Sequence, residues 1–259
     1  MNKIFKIFAL SVFLLSSAWA KVYTVGIDYY PPINYTDEKG NPTGYEIELL
    51  EALSKEIGFK YKIESMKFSE LPAAIVSGKV DFAIAFITIT DSRKAWLDFT
   101  EPYFDAKMIA YKRTYDKSIT KMSDLSGKTI AVVTDSSTAV NIAKSIPDAN
   151  ILITHNNLAR AVEALKTKKA DALIIESVHT PAVIYNKYLG HKQKDISIME
   201  KYKNIELKKI ESFDDDGEAI AFKKGENEEL RKKMSEAIAK FKADGTLQRL
   251  AFKYIVVGH

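Results

Sequence analysis

A predicted strand that runs out into hydroxyl groups and an arginine offers the clearest chemistry in this sequence. The apolar run from Val80 to Ile84 is typical of a short, buried parallel strand. Asp91-Ser92-Arg93 then predicts a helix start with Thr90 or Asp91 as the N-cap. The N–H groups at a helix N-terminus favour an anion, and a guanidinium can hold a carboxylate through two parallel hydrogen bonds. Arg93 is therefore a candidate anion-binding residue, with a solvated first-turn arginine as the alternative.

The second half of the chain repeats the pattern of the first. A predicted helix followed by GKVDFAIA at residues 78–85 is echoed by a predicted helix followed by KKADALIIE at residues 168–176. In both, an aspartate opens an apolar strand, and polar groups follow the strand. Two similar α/β halves predict two lobes that face each other across a cleft. Glu176 would end its strand on the second lobe's side of that cleft, although a solvated glutamate is the alternative.

Aromatic and hydroxyl side chains mark further candidate positions. The first predicted strand, Val22–Ile27, leads directly into Asp28-Tyr29-Tyr30 and two prolines. Open α/β sheets bind ligands at the carboxyl ends of their strands, so Tyr30 is either a ligand contact or a packing residue of the lobe. Phe68 precedes a predicted helix as a hydrophobic staple or a pocket wall. The hydroxyl cluster at residues 134–138 suits an anion, although such groups commonly serve only as helix caps.

Hydrophobic periodicity predicts the helices that must position these residues. Tyr45 to Ile57 carries apolar residues on one face and is ended by Gly58. The predicted helices in the rest of the chain include Arg93–Phe99, Leu158–Thr167 and a long helix through Lys242 that Asn227 would cap.

The first twenty residues are predicted to be a cleavable signal peptide. Lys3 and Lys6 precede a short apolar core, and Ala18-Trp19-Ala20 supplies a small-residue cleavage pattern. The apolar core is shorter than the ~20 residues that a membrane span needs. Cleavage would leave 239 of the 259 residues and reduce the net charge from +4 to +2, because both lysines are lost. We therefore expect an exported protein.

Several classes of chemistry have no support in the sequence. The chain contains no cysteine, and its four histidines share no metal-ligand spacing. It has no phosphate-binding P-loop, no dinucleotide-binding glycine fingerprint and no nucleophile-elbow serine. Charges of both signs are mixed along the chain, which does not indicate a nucleic-acid partner. The sequence therefore predicts a binding pocket without a cofactor or a metal.

Taken in order, the motifs of the mature chain identify a family. The chain resembles the periplasmic solute-binding proteins of polar amino-acid ABC importers, the bacterial extracellular family 3. The resemblance spans the mature chain and is carried by YYPPINY, GNPTGYEIELLEALSKEIG, FSELPAAIVSGKVDFAIA, TITDSRKAWLDFTEPYF, DLSGKTIAVV, ADALIIES, AIAFKKG and KADGTLQRLAFKY.

This resemblance implies the two-lobed, type II periplasmic-binding-protein fold. Each lobe would be a mixed α/β sheet flanked by helices, and two extended crossovers would form the hinge. The first lobe would comprise residues 21–105 and 218–259, and the second lobe residues 106–217. The ligand would bind in the cleft, and the lobes would close over it.

The resemblance also assigns ligand contacts. In the family, the arginine of the TxTxxR motif binds the ligand α-carboxylate with help from hydroxyl groups of both lobes, and these positions match Arg93, Thr88, Ser136 and Ser137. The aromatic pair that sandwiches the ligand matches Tyr30 and Phe68. The acidic residue of the second lobe that holds the α-ammonium matches Glu176, and the aspartate that faces the ligand side chain matches Asp28.

Three positions depart from the family pattern. Phe86 stands where the family has glycine or a small polar residue, so it must fill part of the cleft or turn aside. Asp135 replaces a glycine beside the second-lobe hydroxyls and adds a negative charge. Glu176 replaces an aspartate and reaches about one methylene further. Together they suggest an atypical ligand, smaller or cationic.

The leading hypothesis is a monomeric, non-enzymatic binding protein that delivers a polar or cationic amino acid, or a close analogue, to a membrane ABC permease. Cyclohexadienyl dehydratases are similar to this family and use a cleft glutamate as an acid, so Glu176 keeps a prephenate or arogenate dehydratase as the alternative. A signalling role would need a partner that the sequence does not reveal.

Overall fold

The computed structural model describes residues 21–133, 137–154, 157–180, 206–214 and 216–257. Within them, two five-stranded mixed sheets with helices against them form two lobes. The predicted two-lobed α/β fold is thus confirmed, whereas the predicted division at residues 105/106 and 217/218 stays a prediction. The predicted signal peptide lies outside the described residues. None of the described helices is both long and apolar enough to cross a membrane.

The first lobe is built around the sheet β4-β1-β5-β12-β6. Its strands β1, β4 and β5 are parallel, and β12 runs antiparallel to both β5 and β6. The strands are β1 (Val22–Ile27), β4 (Lys60–Ser65), β5 (Phe82–Thr88), β6 (Leu97–Phe99) and β12 (Glu218–Lys223). The helices are α1 (Tyr45–Ile57), α2 (Leu71–Ser77), α3 (Asp91–Lys94), α6 (Glu228–Ala243) and α7 (Thr246–Ala251), which continues into a π-helical segment, Phe252–Val257. A small ribbon pairs β2 (Tyr35–Thr36) with β3 (Pro42–Thr43).

The second lobe is built around the sheet β11-β7-β10-β8-β9. Its strands β10, β8 and β9 are parallel, and β7 runs antiparallel to β10 and β11. The strands are β7 (Lys107–Arg113), β8 (Thr129–Val132), β9 (Asn150–Ile153), β10 (Ala172–Glu176) and β11 (Leu207–Asp214). The helices are α4 (Ser137–Lys144) and α5 (Leu158–Lys166), with 3-10 turns at Met122–Leu125 and Ser177–His179.

The internal repeat seen in the sequence has the same structural role in both lobes. The Asp81 carboxylate accepts a hydrogen bond from Thr24 N at 2.7 Å, at the start of β1. The Asp171 carboxylate accepts one from Thr129 N at 3.0 Å, at the start of β8. Each aspartate also donates its own N–H to the carbonyl of the same threonine. The aspartates therefore fix the register between the parallel strands whose carboxyl ends face the cleft.

Two crossovers connect the lobes and lie against each other. The chain passes to the second sheet between Phe99 and Lys107 and returns between Asp214 and Glu218. Glu218 N donates to Phe104 O at 2.8 Å, and Tyr103 N donates to Glu218 O at 2.9 Å. This pairing holds the two connections side by side where the lobes meet.

Tertiary pairing overrides two of the sequence predictions. The predicted helix Arg93–Phe99 is wrong in its second half, because Leu97–Phe99 forms β6 and pairs with β12. The helix ends early, since the apolar residues gain burial and ladder hydrogen bonds in the sheet. Asn227 precedes α6 but makes no side-chain capping hydrogen bond. Its side chain instead contacts Lys21 and the Asp81 carbonyl.

Candidate functional site

Polar side chains from three strand ends converge between the lobes. Asp28 and Tyr30 follow β1, Thr88 ends β5, and Glu176 ends β10. Asp28, Thr88 and Glu176 are each less than a tenth exposed. Parallel strands place such residues at one edge of a sheet, and here the two sheets turn these edges toward each other.

Arg93 lies on the first-lobe wall of this cleft. Thr90 is the N-cap of α3, as predicted, and its hydroxyl accepts a hydrogen bond from Arg93 N at 3.3 Å. The guanidinium donates to Thr88 O at 2.7 Å and lies over the Phe68 ring, 5.5 Å from its centroid. Burial lowers the pKa of Arg93, and the carboxylates of Glu218 and Glu176 act in the opposite direction. The Thr88 carbonyl and the Phe68 ring thus hold the arginine in place, and the charges of Glu218 and Glu176 act on it.

Glu218 is a cleft residue that the sequence analysis missed. It is fully buried at the start of β12, and its Oε1 accepts a hydrogen bond from the Thr88 hydroxyl at 3.1 Å. Its charge acts on Arg93 and on Tyr30. Because β12 is antiparallel to β5, the first residue of β12 lies at the same sheet edge as the last residue of β5. The one signal in the sequence was an acidic residue opening an apolar strand directly after a glycine.

Tyr30 joins the two lobes through hydrogen bonds. Its hydroxyl donates to Glu176 Oε2, and His179 Nε2 lies 2.6 Å from the same hydroxyl oxygen. The rings of Tyr30 and His179 pack edge to face, 4.9 Å between centroids. Since the single hydroxyl proton goes to the carboxylate, Nε2 of His179 is the donor in this arrangement. His179 was also missed, because the histidines were considered only as metal ligands.

The environment of Tyr30 is strongly acidic. Burial raises the pKa of Tyr30 well above its ordinary value, and the charges of Glu176, Asp28 and Glu218 raise it further. The hydroxyl therefore stays protonated and keeps its donor role. The Arg93 guanidinium lies over the Phe68 ring and Tyr30 bonds to the second lobe, and the aromatic sandwich around a ligand stays a prediction.

Phe86 turns its ring into the wall behind Tyr30. Its ring centroid lies 6.1 Å from that of Tyr30 and 5.3 Å from that of Phe104. Its backbone has a φ of +49°, and its N–H donates to the buried carboxylate of Glu46 at 2.6 Å. The ring thus packs against the wall formed by Tyr30 and Phe104, and a direct contact between Phe86 and a ligand stays a prediction.

The remaining predicted contacts belong to the second-lobe hydroxyl cluster. Asp135 and Ser136 lie outside the described residues, and Ser137 is described only as the first backbone position of α4. Across the described residues, no group of three or more acidic or histidine side chains has the arrangement of a metal site.

The family model of the bacterial extracellular solute-binding proteins, family 3, matches residues 23–257. The chain belongs to this family. The resemblance found in the sequence is thereby confirmed, and it covers the whole of both lobes.

Curated relatives of the chain are amino-acid-binding proteins. The amino-acid-binding protein AabA of Dichelobacter nodosus is 31% identical over 91% of this chain and 88% of its own length. The arginine-binding extracellular protein ArtP of Bacillus subtilis is 29% identical over 87% of this chain and 82% of its own. The L-cystine-binding protein TcyJ of Escherichia coli is 25% identical over 87% of this chain and 79% of its own.

Solved structures show the same fold. An ancestral arginine-binding protein bound to arginine has a TM-score of 0.70 at 28% identity, covering 90% of this chain and 97% of that one. The ancestral amino-acid-binding protein AncCDT-1, a precursor of cyclohexadienyl dehydratase, has a TM-score of 0.70 at 26% identity, covering 90% and 95%. The same fold is thus found in an amino-acid-binding protein and in a precursor of an enzyme.

Proposed function

We propose that this protein captures a cationic amino acid, or a close analogue, between its lobes and presents it to a membrane ABC permease. The observation that carries the ligand class is the charge of the cleft. Of the groups described above, Asp28, Glu176 and Glu218 are buried carboxylates, whereas Arg93 is a single guanidinium. A ligand with two positive groups and one carboxylate carries a net positive charge, so it offsets part of this excess of negative charge, whereas a neutral amino acid offsets none of it.

Each group of such a ligand has a partner in the cleft. The α-carboxylate would bind Arg93, whose orientation is fixed by Thr88 O and the Phe68 ring. The α-ammonium would bind Glu176 across the cleft, and the side-chain cation would face Asp28 and Glu218. Charges taken out of water are stable only when paired with good geometry, so a neutral side chain would leave this acidic end uncompensated.

The relatives support the same class. They include the arginine-binding protein ArtP and a probable histidine-binding protein of Campylobacter jejuni, which is 28% identical over 87% of this chain. The family is described as extracellular, and we propose a periplasmic location after removal of residues 1–20, with the mature protein acting as a monomer.

The cleft favours binding over dehydration. An ammonium group is held best by an ionised carboxylate, and the Glu176 carboxylate accepts a hydrogen bond from the Tyr30 hydroxyl. Hydrogen bonds donated to a carboxylate stabilise its ionised form. The main hypothesis therefore has more support than the dehydratase alternative.

Isothermal titration of refolded, ligand-free protein tests the proposal. Arginine, lysine, ornithine and histidine are compared with glutamine, glutamate and prephenate, and tight binding is expected only among the cationic amino acids. Asp28→Asn should weaken the cationic ligand by at least about 30-fold, because a buried charge loses its partner. Asp91→Asn is the matched control, since the Asp91 side chain is fully exposed beside Arg93. Preferential binding of glutamate, or turnover of prephenate, would refute the proposal.

A further inference from the structure

Phe86 has a backbone conformation that is unfavourable for its side chain. Four non-glycine residues among those described have positive φ, and the other three, Asp148, Lys168 and Asn227, lie in turns between elements. Phe86 instead lies within β5, with its ring almost fully buried. An aromatic residue in the left-handed region is an outlier that the surrounding structure must impose.

The sheet supplies part of this constraint. The pairing between β12 and β5 shifts register between Ala219 and Ala221, so the segment ending at Phe86 bulges out of the regular ladder. An extra residue in one strand bends that strand and re-aims a side chain. The Phe86 N–H at this point needs an acceptor from elsewhere, because a buried N–H without a partner is strongly unfavourable.

Glu46 supplies that acceptor. It lies in the first turn of α1 and is fully buried, and its Oε1 accepts hydrogen bonds from Phe86 N and from the Tyr103 hydroxyl. Its Oε2 accepts one from Asn34 Nδ2. One carboxylate thus ties together α1, the bulged end of β5 and the first crossover.

The position of the Phe86 ring affects the shape of the cleft. That ring packs between Tyr30, which bonds to Glu176, and Phe104, which pairs with Glu218 in the second crossover. Val178 of the second lobe belongs to the same apolar cluster. A ring in this place closes the inner end of the space between the lobes.

We propose that Glu46 is a positioning residue for the cleft: its buried carboxylate holds Phe86 in the left-handed conformation, and Phe86 in turn limits the length of the ligand side chain that the closed lobes admit. This inference rests on the proposed function, because it takes a cationic amino acid as the ligand. Under this inference, selection for the length of the ligand side chain depends on Glu46, a residue that does not itself face the ligand.

The test is a length series of cationic amino acids, from 2,3-diaminopropionate through 2,4-diaminobutyrate and ornithine to lysine. Titration calorimetry should show a sharp cut-off in the wild-type protein, with about tenfold weaker binding for each methylene beyond it. Phe86→Gly should move the cut-off toward longer ligands, and Glu46→Ala should move it in the same direction.

Glu46→Gln should keep the wild-type cut-off. The glutamine oxygen can accept from Phe86 N and the Tyr103 hydroxyl. Its amide replaces the oxygen that accepts from Asn34 Nδ2, so the Asn34 amide must rotate to present Oδ1, which has no hydrogen-bond partner in the described structure, as the acceptor. Should Glu46→Ala fail to fold, Glu46→Asp, whose carboxylate is one methylene too short, takes its place. A merely structural Glu46 would change the bound fraction of all ligands equally, and an unchanged cut-off in Glu46→Ala would overturn the inference.

A measurement without ligand separates this inference from the proposed function. If the wild-type protein binds no member of the series and neither arginine nor histidine, the proposed function fails. The unfolding free energies of Glu46→Ala, Phe86→Gly and the double variant then decide the role of Glu46. Removal of Glu46 should destabilise the Phe86→Gly protein less than the wild type, because glycine needs no help to adopt a positive φ. Equal destabilisation in both backgrounds would overturn the inference.

Discussion

Replacing Glu46 by glutamine should change how the stability of this protein depends on pH. Burial raises the pKa of Glu46 from 4.5 to about 7, and the hydrogen bonds from Tyr103, Phe86 N and Asn34 only partly offset that effect. The neighbouring Tyr103 has a raised pKa as well, caused first by burial, so it stays neutral in this range. Glu46 is therefore the group of this cluster that titrates near neutrality.

The sign follows from the direction of the shift. The folded state holds the Glu46 proton up to about pH 7, whereas the unfolded chain releases it near pH 4.5. The unfolding free energy therefore falls as the pH rises between these values. Each pKa unit corresponds to about 1.4 kcal/mol, so the ionised Glu46 lowers stability by about 3 kcal/mol above neutral pH.

Urea unfolding at about pH 5 and about pH 8.5 measures this contribution. Between these conditions the wild-type protein should lose about 2.5 kcal/mol that Glu46→Gln retains. The difference between the two proteins isolates Glu46, because the other buried carboxylates are present in both.

Glu48→Gln is the matched control, two residues along the same helix. Burial raises the pKa of Glu48, but hydrogen bonds from Lys253 and Tyr254 outweigh burial and lower it overall. Its contribution is complete above about pH 4.5 and is lost only in acid, so the control should leave the neutral range unchanged. If Glu46→Gln and the wild type lose the same free energy between the two pH values, Glu46 ionises normally and the reasoning is wrong.

Three further substitutions test the cleft and the fold. Arg93→Ala should weaken amino-acid binding by at least about 30-fold in calorimetry. Arg93→Lys should have an intermediate affinity, because lysine lacks the planar guanidinium that forms two parallel hydrogen bonds. If both variants bind as tightly as the wild type, Arg93 does not contact the ligand. Tyr30→Phe should open the ligand-free protein, because Glu176 loses a hydrogen bond worth about 1.5–3 kcal/mol. Small-angle scattering should show a larger radius than for the control Tyr61→Phe, which changes a tyrosine of β4 in the first lobe. Gly44→Ala should lower the unfolding free energy by at least about 2 kcal/mol in urea, because φ is +125° and a Cβ would lie 2.2 Å from a backbone oxygen. Gly40→Ala, with φ of +83° but open space around it, should be destabilised less.

The elements that carry their own pattern could be predicted from the sequence. The bounds of β1 and α1 match the prediction, since alternation, helical periodicity and a terminal glycine are local signals. The candidate residues at strand ends, such as Tyr30, Thr88 and Glu176, could also be predicted, because a strand end and its loop are visible in the sequence. Their convergence followed from two similar α/β halves.

The residues that were missed depend on tertiary contacts. Glu218 reaches the cleft only because β12 returns antiparallel beside β5, and nothing local to its sequence indicates that partner. Glu46 occupies the first turn of a helix, where an acidic residue is normally solvated and stabilised by the helix dipole. Its burial results from the packing of α1 against the bulged end of β5 and the first crossover.

The contact between Tyr30 and Glu176 bears on ligand selection under the proposed function. The Tyr30 hydroxyl is a neutral donor that occupies Glu176 and already joins the lobes. A ligand that binds Glu176 must share or replace this hydrogen bond. Closure around the ligand is therefore favoured only by the amount by which the bond from the ligand to Glu176 is stronger than the bond from Tyr30. The hydrogen bond from tyrosine is already assisted by the charge of the carboxylate, but an ammonium adds the attraction of an opposite charge, whereas a ligand hydroxyl or amide would gain little over tyrosine. The same pair of residues that closes the lobes would therefore discriminate against ligands that lack a positive charge at this position.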